Sequence, residues 1–122
     1  MAIVLVVDDE YGITNLLEDV LSDEGHRVLT ATNGQQALER LAEERPDAVL
    51  TDYMMPVMDG AALIKAMADD PNLKQIPVAV MSSVPEATVR ENCPAFAVHV
   101  PKPFKIYAVI DVVADLLGNP SQ

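Results

Sequence analysis

The chain has 122 residues, half of them apolar, and carries a formal net charge of −11 from 19 acidic and 8 basic residues. This length suits one compact domain with one core, and no apolar run reaches the roughly 18 residues that a membrane span needs. The charge opposes direct binding to DNA or RNA, and the single cysteine, Cys93, excludes an internal disulfide and fits the reducing cytoplasm.

Five apolar segments predict β-strands. The first begins almost at the N-terminus and runs straight into three acids without a preceding basic segment, so we do not expect a signal peptide. The first, third and fourth segments are apolar on both faces, as in a parallel sheet that is covered on both sides. The segments are Ile3 to Val7, Val28 to Thr32, Asp47 to Leu50, Pro77 to Met81 and Phe96 to Val100.

Helical patterns lie between these strands. In the first pattern apolar residues recur from Ile13 to Leu21 at spacings of three and four, and Gly25 is placed to end the helix. Four more helices are predicted around Ala37 to Ala42, around Leu63 to Ala68, over Glu86 to Asn92, and from Ile106 to Leu117.

The order of elements is therefore strand and helix repeated five times. Right-handed crossovers make this a doubly wound α/β sandwich, a (βα)5 fold with a five-stranded parallel sheet, and residues 1–122 form one domain. Ligands of such folds bind beyond the carboxyl ends of the strands. The functional residues should therefore lie at the carboxyl ends of the strands.

Acids, a hydroxyl and an amine follow the strands. Asp8-Asp9-Glu10 ends the first strand, Asp52 the third and Ser82-Ser83 the fourth, while the fifth runs into Lys102-Pro103. Taken singly, an acid here could cap a helix, a serine could stabilise a turn, and the lysine could be a surface residue. Together, three carboxylates repel one another unless cations join them.

A divalent cation and the lysine would balance three carboxylates. Mg²⁺ prefers oxygen ligands, usually carboxylates, waters and a phosphate oxygen. A carboxylate held beside it is a possible nucleophile toward phosphorus, with the metal, the amine and the hydroxyl stabilising the transferring group. This pattern predicts phosphoryl transfer to a carboxylate, and leaves open which carboxylate accepts it.

Four motifs resemble the receiver domain of bacterial response regulators over essentially the whole chain. They are Val6-Val7-Asp8-Asp9-Glu10, the run from Asp52 to Gly60, Met81-Ser82-Ser83, and Lys102-Pro103-Phe104. Each motif alone is weak, but all four in this order at the ends of four strands are specific. The resemblance implies a flavodoxin-like fold.

The resemblance also implies the role of each site residue. Asp52 matches the phosphoacceptor, Ser82 the switch hydroxyl, and Lys102 the phosphate contact, with a cis bond between Lys102 and Pro103. The implied Mg²⁺ ligands, for which Mn²⁺ could substitute, are Asp8, Asp9, Asp52 and the backbone carbonyl of Met54.

The implied function is a phosphorylation-activated signalling switch, rather than a turnover enzyme. The phosphoryl donor would be a phosphohistidine of a sensor histidine kinase or of a histidine phosphotransfer protein. The output would go through the face formed by the fourth helix, fifth strand and fifth helix, which would bind a downstream protein or a second copy of the chain. No output domain, membrane or nucleic acid is expected.

The apolar spacing of the fifth helix predicts which of its residues are buried. They are Ile106, Val109, Ile110, Val113 and Leu117. Ala108 and Val112 would then lie on the partner surface.

The chain departs from the family pattern near this output face. His99 stands where the family has an aromatic switch residue. It either fills the place of the aromatic ring as a neutral histidine or links switching to pH by changing its charge. Ser82 and Lys102 are closer in sequence than usual, Cys93-Pro94-Ala95 replaces an Ala-Gly-Ala run, and Pro101 precedes the lysine. We read Cys93 as a small packing residue. Met54 and Val84, each two residues after a site residue, are predicted to modulate hydrolysis of the phosphoryl group.

Three other classes of function fit these residues less well. A dehalogenase-type phosphatase would have a second aspartate two residues after its nucleophile, where this chain has Met54. A flavodoxin-like cofactor binder would have a hydroxyl- and glycine-rich loop after the first strand, where the acids of this chain would repel phosphate. A pseudo-receiver would bind partners without phosphorylation, and the complete acidic site argues against it.

Overall fold

The computed structural model describes residues 2–93 and 95–118, in which five strands alternate with five helices. None of the described helices combines the length and the apolar character needed to cross a membrane. The elements are β1 (Ile3–Val7), α1 (Tyr11–Asp23), β2 (Arg27–Ala31), α2 (Gly34–Glu43), β3 (Ala48–Asp52), α3 (Gly60–Ala68), β4 (Val78–Ser82), α4 (Glu86–Asn92), β5 (Val98–Pro101) and α5 (Ile106–Leu116).

The sheet is entirely parallel, with the strand order β2-β1-β3-β4-β5. The order reverses around β1, because the chain leaves β2 at one edge and returns as β3 on the other side of β1. Val7 of β1 pairs with Thr51 of β3, so the residues that follow these strands emerge side by side. This switch point is where a doubly wound sheet forms its binding crevice.

The core has two layers, because successive side chains of a strand point to opposite faces of the sheet. Leu5, Val7 and Val80 belong to the layer that holds the buried residues of α2 and α3. Val4, Val6 and Met81 belong to the layer shared with α1 and α5. Leu17 and Leu21 of α1 lie in this second layer and are completely buried, each stabilising the fold by about 2 kcal/mol.

The predicted order of elements and the parallel sheet are confirmed. β1 and α4 cover the predicted Ile3–Val7 and Glu86–Asn92, while the boundaries of the other four strands differ by one or two residues from the prediction. Cys93 is buried in the core, as expected of a packing residue. Pro94, which belongs to the run that departs from the family pattern, lies outside the described residues.

The predicted burial of α5 is wrong in part. Val109 and Val113 are buried and Ile110 and Leu117 are partly buried, but Ile106, the first residue of the helix, is 42% exposed. Val112, which we expected on a partner surface, is partly buried and packs against the core layer shared with α1. Apolar residues surround most of this helix, so their spacing alone does not fix which side meets the sheet.

Candidate functional site

Three carboxylates converge at the carboxyl ends of β1 and β3. Asp8 follows β1 and is completely buried, Asp52 ends β3 and is 7% exposed, and Asp9 faces solvent. One oxygen of each lies within 4.8 Å of the other two. The predicted acidic cluster is therefore present, and the switch point of the sheet creates it.

Backbone amides orient the two buried carboxylates. The Glu10 N–H donates to Asp8 Oδ1 at 2.9 Å, and the Tyr53 N–H donates to Asp52 Oδ1 at 2.9 Å. The Asp8 N–H donates in turn to the carbonyl of Ala31 at the end of β2, at 3.1 Å. Glu10 occupies the N-cap of α1 without a side-chain cap hydrogen bond, so capping does not account for the acids here.

Lys102 brings one positive charge to this cluster. Its Nζ lies 3.1 Å from Asp8 Oδ2 and 3.3 Å from Asp52 Oδ1. The Lys102 N–H donates to the carbonyl of Ser82 at 2.9 Å, which fixes the start of the β5–α5 loop against β4. The bond between Lys102 and Pro103 is cis, as the resemblance implied.

The electrostatics of the site are unbalanced. Burial raises the pKa of Asp52, the charge of Asp8 raises it further, and Lys102 opposes both effects only in part. Burial lowers the pKa of Lys102, but its contacts with Asp8 and Asp52 outweigh burial, and the net direction is upward. One ammonium against three carboxylates leaves two negative charges, which a divalent cation with oxygen ligands would neutralise.

The loop of residues 53–59, here called the acceptor loop, joins Asp52 to α3. Met54 lies in it with 68% of its surface exposed. Asp59 ends it as the N-cap of α3, accepting a hydrogen bond from the Ala62 N–H at 2.9 Å. A Cβ at Gly60 would lie 2.4 Å from the Asp52 carbonyl oxygen, so only glycine fits there. No pattern in the sequence predicts this close approach of Gly60 to the backbone of Asp52.

Ser82 ends β4 on the same rim and is 4% exposed, whereas Ser83 faces solvent. The Ser82 hydroxyl accepts a hydrogen bond from the Val84 N–H at 2.7 Å and donates to the Val84 carbonyl at 3.3 Å. In this state the hydroxyl is held by its own β4–α4 loop. Val84 is partly buried against the core.

His99 lies in β5 opposite Val80 of β4. It is partly buried, and its Nε2 is buried without a hydrogen-bond partner among the described residues. Val98 and Val100 belong to the layer of α1 and α5, so His99 between them points to the opposite layer, where Val80 packs with Val89 of α4. His99 thus lies in the edge strand β5, with its side chain on the face of the sheet that holds Val80 and Val89.

Comparisons of sequence identify related proteins. The family model described as the response regulator receiver domain matches residues 4–114. Sporulation initiation phosphotransferase F of Bacillus subtilis is 38% identical over 117 residues, which cover 93% of this chain and 92% of that protein. Response regulator PleD of Caulobacter vibrioides is 41% identical over 81 residues, which cover 66% of this chain and only 18% of that protein.

Solved structures agree. The chemotaxis response regulator CheY4 of Vibrio cholerae superposes with a TM-score of 0.89 at 28% identity, covering 96% of this chain and 99% of that one. The receiver domain of a Pseudomonas aeruginosa sensor histidine kinase, solved with a magnesium ion coordinated in the active-site cleft, gives 0.87 at 26% identity, covering 96% and 98%. The chain belongs to the response regulator receiver domain family, whose members are phosphorylation-activated switches of two-component signalling that take phosphoryl groups from histidine kinases.

Proposed function

We propose that this chain accepts a phosphoryl group onto Asp52, in a reaction that requires Mg²⁺ and for which Mn²⁺ can substitute. The observation that carries this proposal is the buried Asp52 carboxylate, which shares the rim of the sheet with Asp8, Asp9 and the Lys102 amine. The protein would act as a signalling switch that catalyses its own modification, and not as a turnover enzyme.

The contacts of Asp52 favour one of its oxygens as the nucleophile. Oδ1 accepts the Tyr53 N–H and lies next to Lys102 Nζ, which leaves Oδ2 to attack. A bond from Oδ2 to phosphorus forms as the bond from phosphorus to the donor imidazole nitrogen breaks, and the imidazole leaves with that electron pair. Lys102 would stabilise the charge on the phosphoryl oxygens.

Asp8, Asp9, Asp52 and the Met54 carbonyl would hold the Mg²⁺ ion. The ion, when bound, would supply positive charge opposite the phosphoryl oxygens. Ser82 would then exchange its bonds to the Val84 backbone for one to a phosphoryl oxygen. This exchange would move the β4–α4 loop and pass the signal on.

A protein that carries a phosphohistidine, either a sensor histidine kinase or a histidine phosphotransfer protein, is the proposed donor in the cytoplasm. An apolar cleft of about 430 Å³ borders Lys102 and is lined in part by Ile13, Leu16 and Phe104. Tyr11, also in α1, is a further exposed aromatic residue, with 71% of its area exposed. Such a surface beside the acceptor suits an apolar partner, and the net charge of −11 disfavours nucleic acid.

The downstream contact is proposed on α4, β5 and α5, with a protein partner or a second copy of the chain. Tyr107 and Ile106 of α5 are 62% and 42% exposed, which supports an apolar contact there. The sequence placed Val112 on this partner surface, but Val112 packs against the core, and Tyr107 and Ile106 are the exposed residues there.

The experiment that tests the proposal uses acetyl phosphate as a small donor and intact mass as the readout. In Mg²⁺ the wild-type chain should gain one phosphoryl group, and Asp52→Asn should gain none. Asp9→Asn should require more Mg²⁺ for the same rate because it removes one anionic oxygen ligand.

Asp19→Asn is the matched control, since Asp19 is an exposed acid of α1 away from the cluster. It should behave as the wild type does. Phosphorylation of Asp52→Asn, or an unchanged rate in chelator, would refute the assignment. A wild-type chain that gains no mass would favour a pseudo-receiver.

A further inference from the structure

We propose that Gly34 is a positioning residue for the Mg²⁺ site, although it lies in neither strand that carries the acids. Gly34 begins α2 at the β2–α2 corner, defined as residues 31–36. The inference is that this corner braces the acceptor loop so that the Met54 carbonyl meets the carboxylates. It rests on the ligand set proposed above.

The corner is bonded to both halves of the site. On one side, the Ala31 carbonyl accepts the Asp8 N–H at 3.1 Å. On the other, the Gly34 N–H donates to the Met58 carbonyl in the acceptor loop at 2.8 Å. The corner therefore sets the spacing between the β1 end and the acceptor loop.

The second contact requires the absence of a side chain. A Cβ on Gly34 would lie 2.6 Å from Met58 Cγ, 2.8 Å from its carbonyl oxygen and 3.0 Å from its Cβ. Gly34 is buried, and its φ lies outside the left-handed region, so glycine serves here for space rather than for backbone freedom. Any added atom must push the backbone of Met58 away.

Neither partner can easily absorb that displacement. In the corner, Asn33 Oδ1 accepts the Gln36 N–H at 2.8 Å, and Gln36 Oε1 accepts the Thr32 N–H at 2.7 Å. At the base of the acceptor loop, the Gly60 N–H donates to the Tyr53 carbonyl at 2.9 Å. A displacement of Met58 would therefore move the backbone of residues 54–57, which include the proposed carbonyl ligand.

The test is a titration with MgCl₂ followed by the amide resonances of the full chain in solution. Gly34→Ala should weaken Mg²⁺ affinity roughly tenfold, as is usual when a group that orients metal ligands is lost. Gly12→Ala is the matched control, because an added Cβ there meets nothing within 4 Å, and it should bind as the wild type does. With acetyl phosphate, Gly34→Ala should raise the half-saturating Mg²⁺ concentration and approach the wild-type rate at saturation.

A purely structural role would lower the saturating rate as well, and that result, or wild-type Mg²⁺ affinity, would overturn the inference. If Gly34→Ala does not fold, Gln36→Ala tests the inference instead. It removes the side chain that accepts the Thr32 N–H, and so loosens the corner without adding an atom that clashes. Gln36→Ala should bind Mg²⁺ more weakly than Asn15→Ala, which removes an exposed amide side chain of α1, and equal binding by these two variants would refute the inference. A wild-type chain that does not bind Mg²⁺ would instead refute the proposed metal site.

Discussion

At the scale of single residues, Val57 shows strain beside the site. It lies in the acceptor loop with φ of 68° and 77% exposure. The left-handed region costs an L-residue roughly 1–2 kcal/mol, and a β-branched side chain fits it badly. Val57→Asn should therefore raise the free energy of unfolding by about 1 kcal/mol, measured by urea denaturation. Val57→Ile keeps the branch and should give no gain, and an equal gain from both variants would contradict the argument.

The lifetime of the phosphorylated state should depend on Met54 and Val84. Hydrolysis needs a water in line with the bond from phosphorus to Asp52, and neither side chain can hydrogen-bond strongly to such a water or orient it. Met54 is exposed at the mouth of the site, and Val84 borders Ser82. The double variant Met54→Asn with Val84→Glu should lose its phosphoryl group roughly tenfold faster, which corresponds to about 1.4 kcal/mol in the barrier.

The measurement follows intact mass after the phosphodonor is removed. Met54→Leu is the control for Met54, since it keeps an apolar side chain of similar volume and should retain the wild-type lifetime. A double variant no faster than the wild type would show that these side chains do not set the rate of hydrolysis.

Site residues could be predicted from the sequence where their side chains are charged and the charges of the group can be added up. Asp8, Asp52 and Lys102 follow strands, and the balance of their charges indicates a cation site before any coordinates are known. Gly34 and Gly60 could not be predicted in the same way, because they act through the absence of a Cβ near a distant backbone. That proximity exists only after the strands have paired.

At the scale of elements, the same distinction explains the errors in α5. The burial of Val109 and Val113 follows from the helical period. The exposure of Ile106 and the packing of Val112 depend instead on how the helix lies against the sheet and α1. An apolar helix with few polar residues gives no sharp polar side in its sequence. Its orientation is decided by packing.

At the scale of the whole molecule, the fold was predictable because several signals agree. Apolar runs, helical periods and short connections all favour one strand–helix alternation, and right-handed crossovers then leave few topologies. The strand order and the contact of β1 with β3 follow, and they bring the acids together. The site is thus a consequence of topology, but its charge works against stability.

This cost predicts how the stability of the whole chain responds to Mg²⁺. Because burial and the charge of Asp8 raise the pKa of Asp52, the fold is more stable with that carboxyl protonated, and its ionisation at neutral pH lowers the free energy of unfolding. In chelator, Asp52→Asn should therefore be more stable than the wild type by more than the roughly 0.5 kcal/mol typical of surface changes. Thermal and urea unfolding would measure the difference.

Mg²⁺ should reverse the advantage, because a ligand bound only to the folded state adds about 2.7 kcal/mol when its concentration is a hundred times its dissociation constant. Asp52→Asn, which lacks one anionic ligand, should gain less from the ion than the wild type. Asp19→Asn removes the same charge from the net −11 at an exposed position of α1 and should show neither effect. If Asp19→Asn and Asp52→Asn stabilise the chain equally in chelator, the overall charge of the molecule is responsible, and crowding of acids at the switch point of the sheet is not.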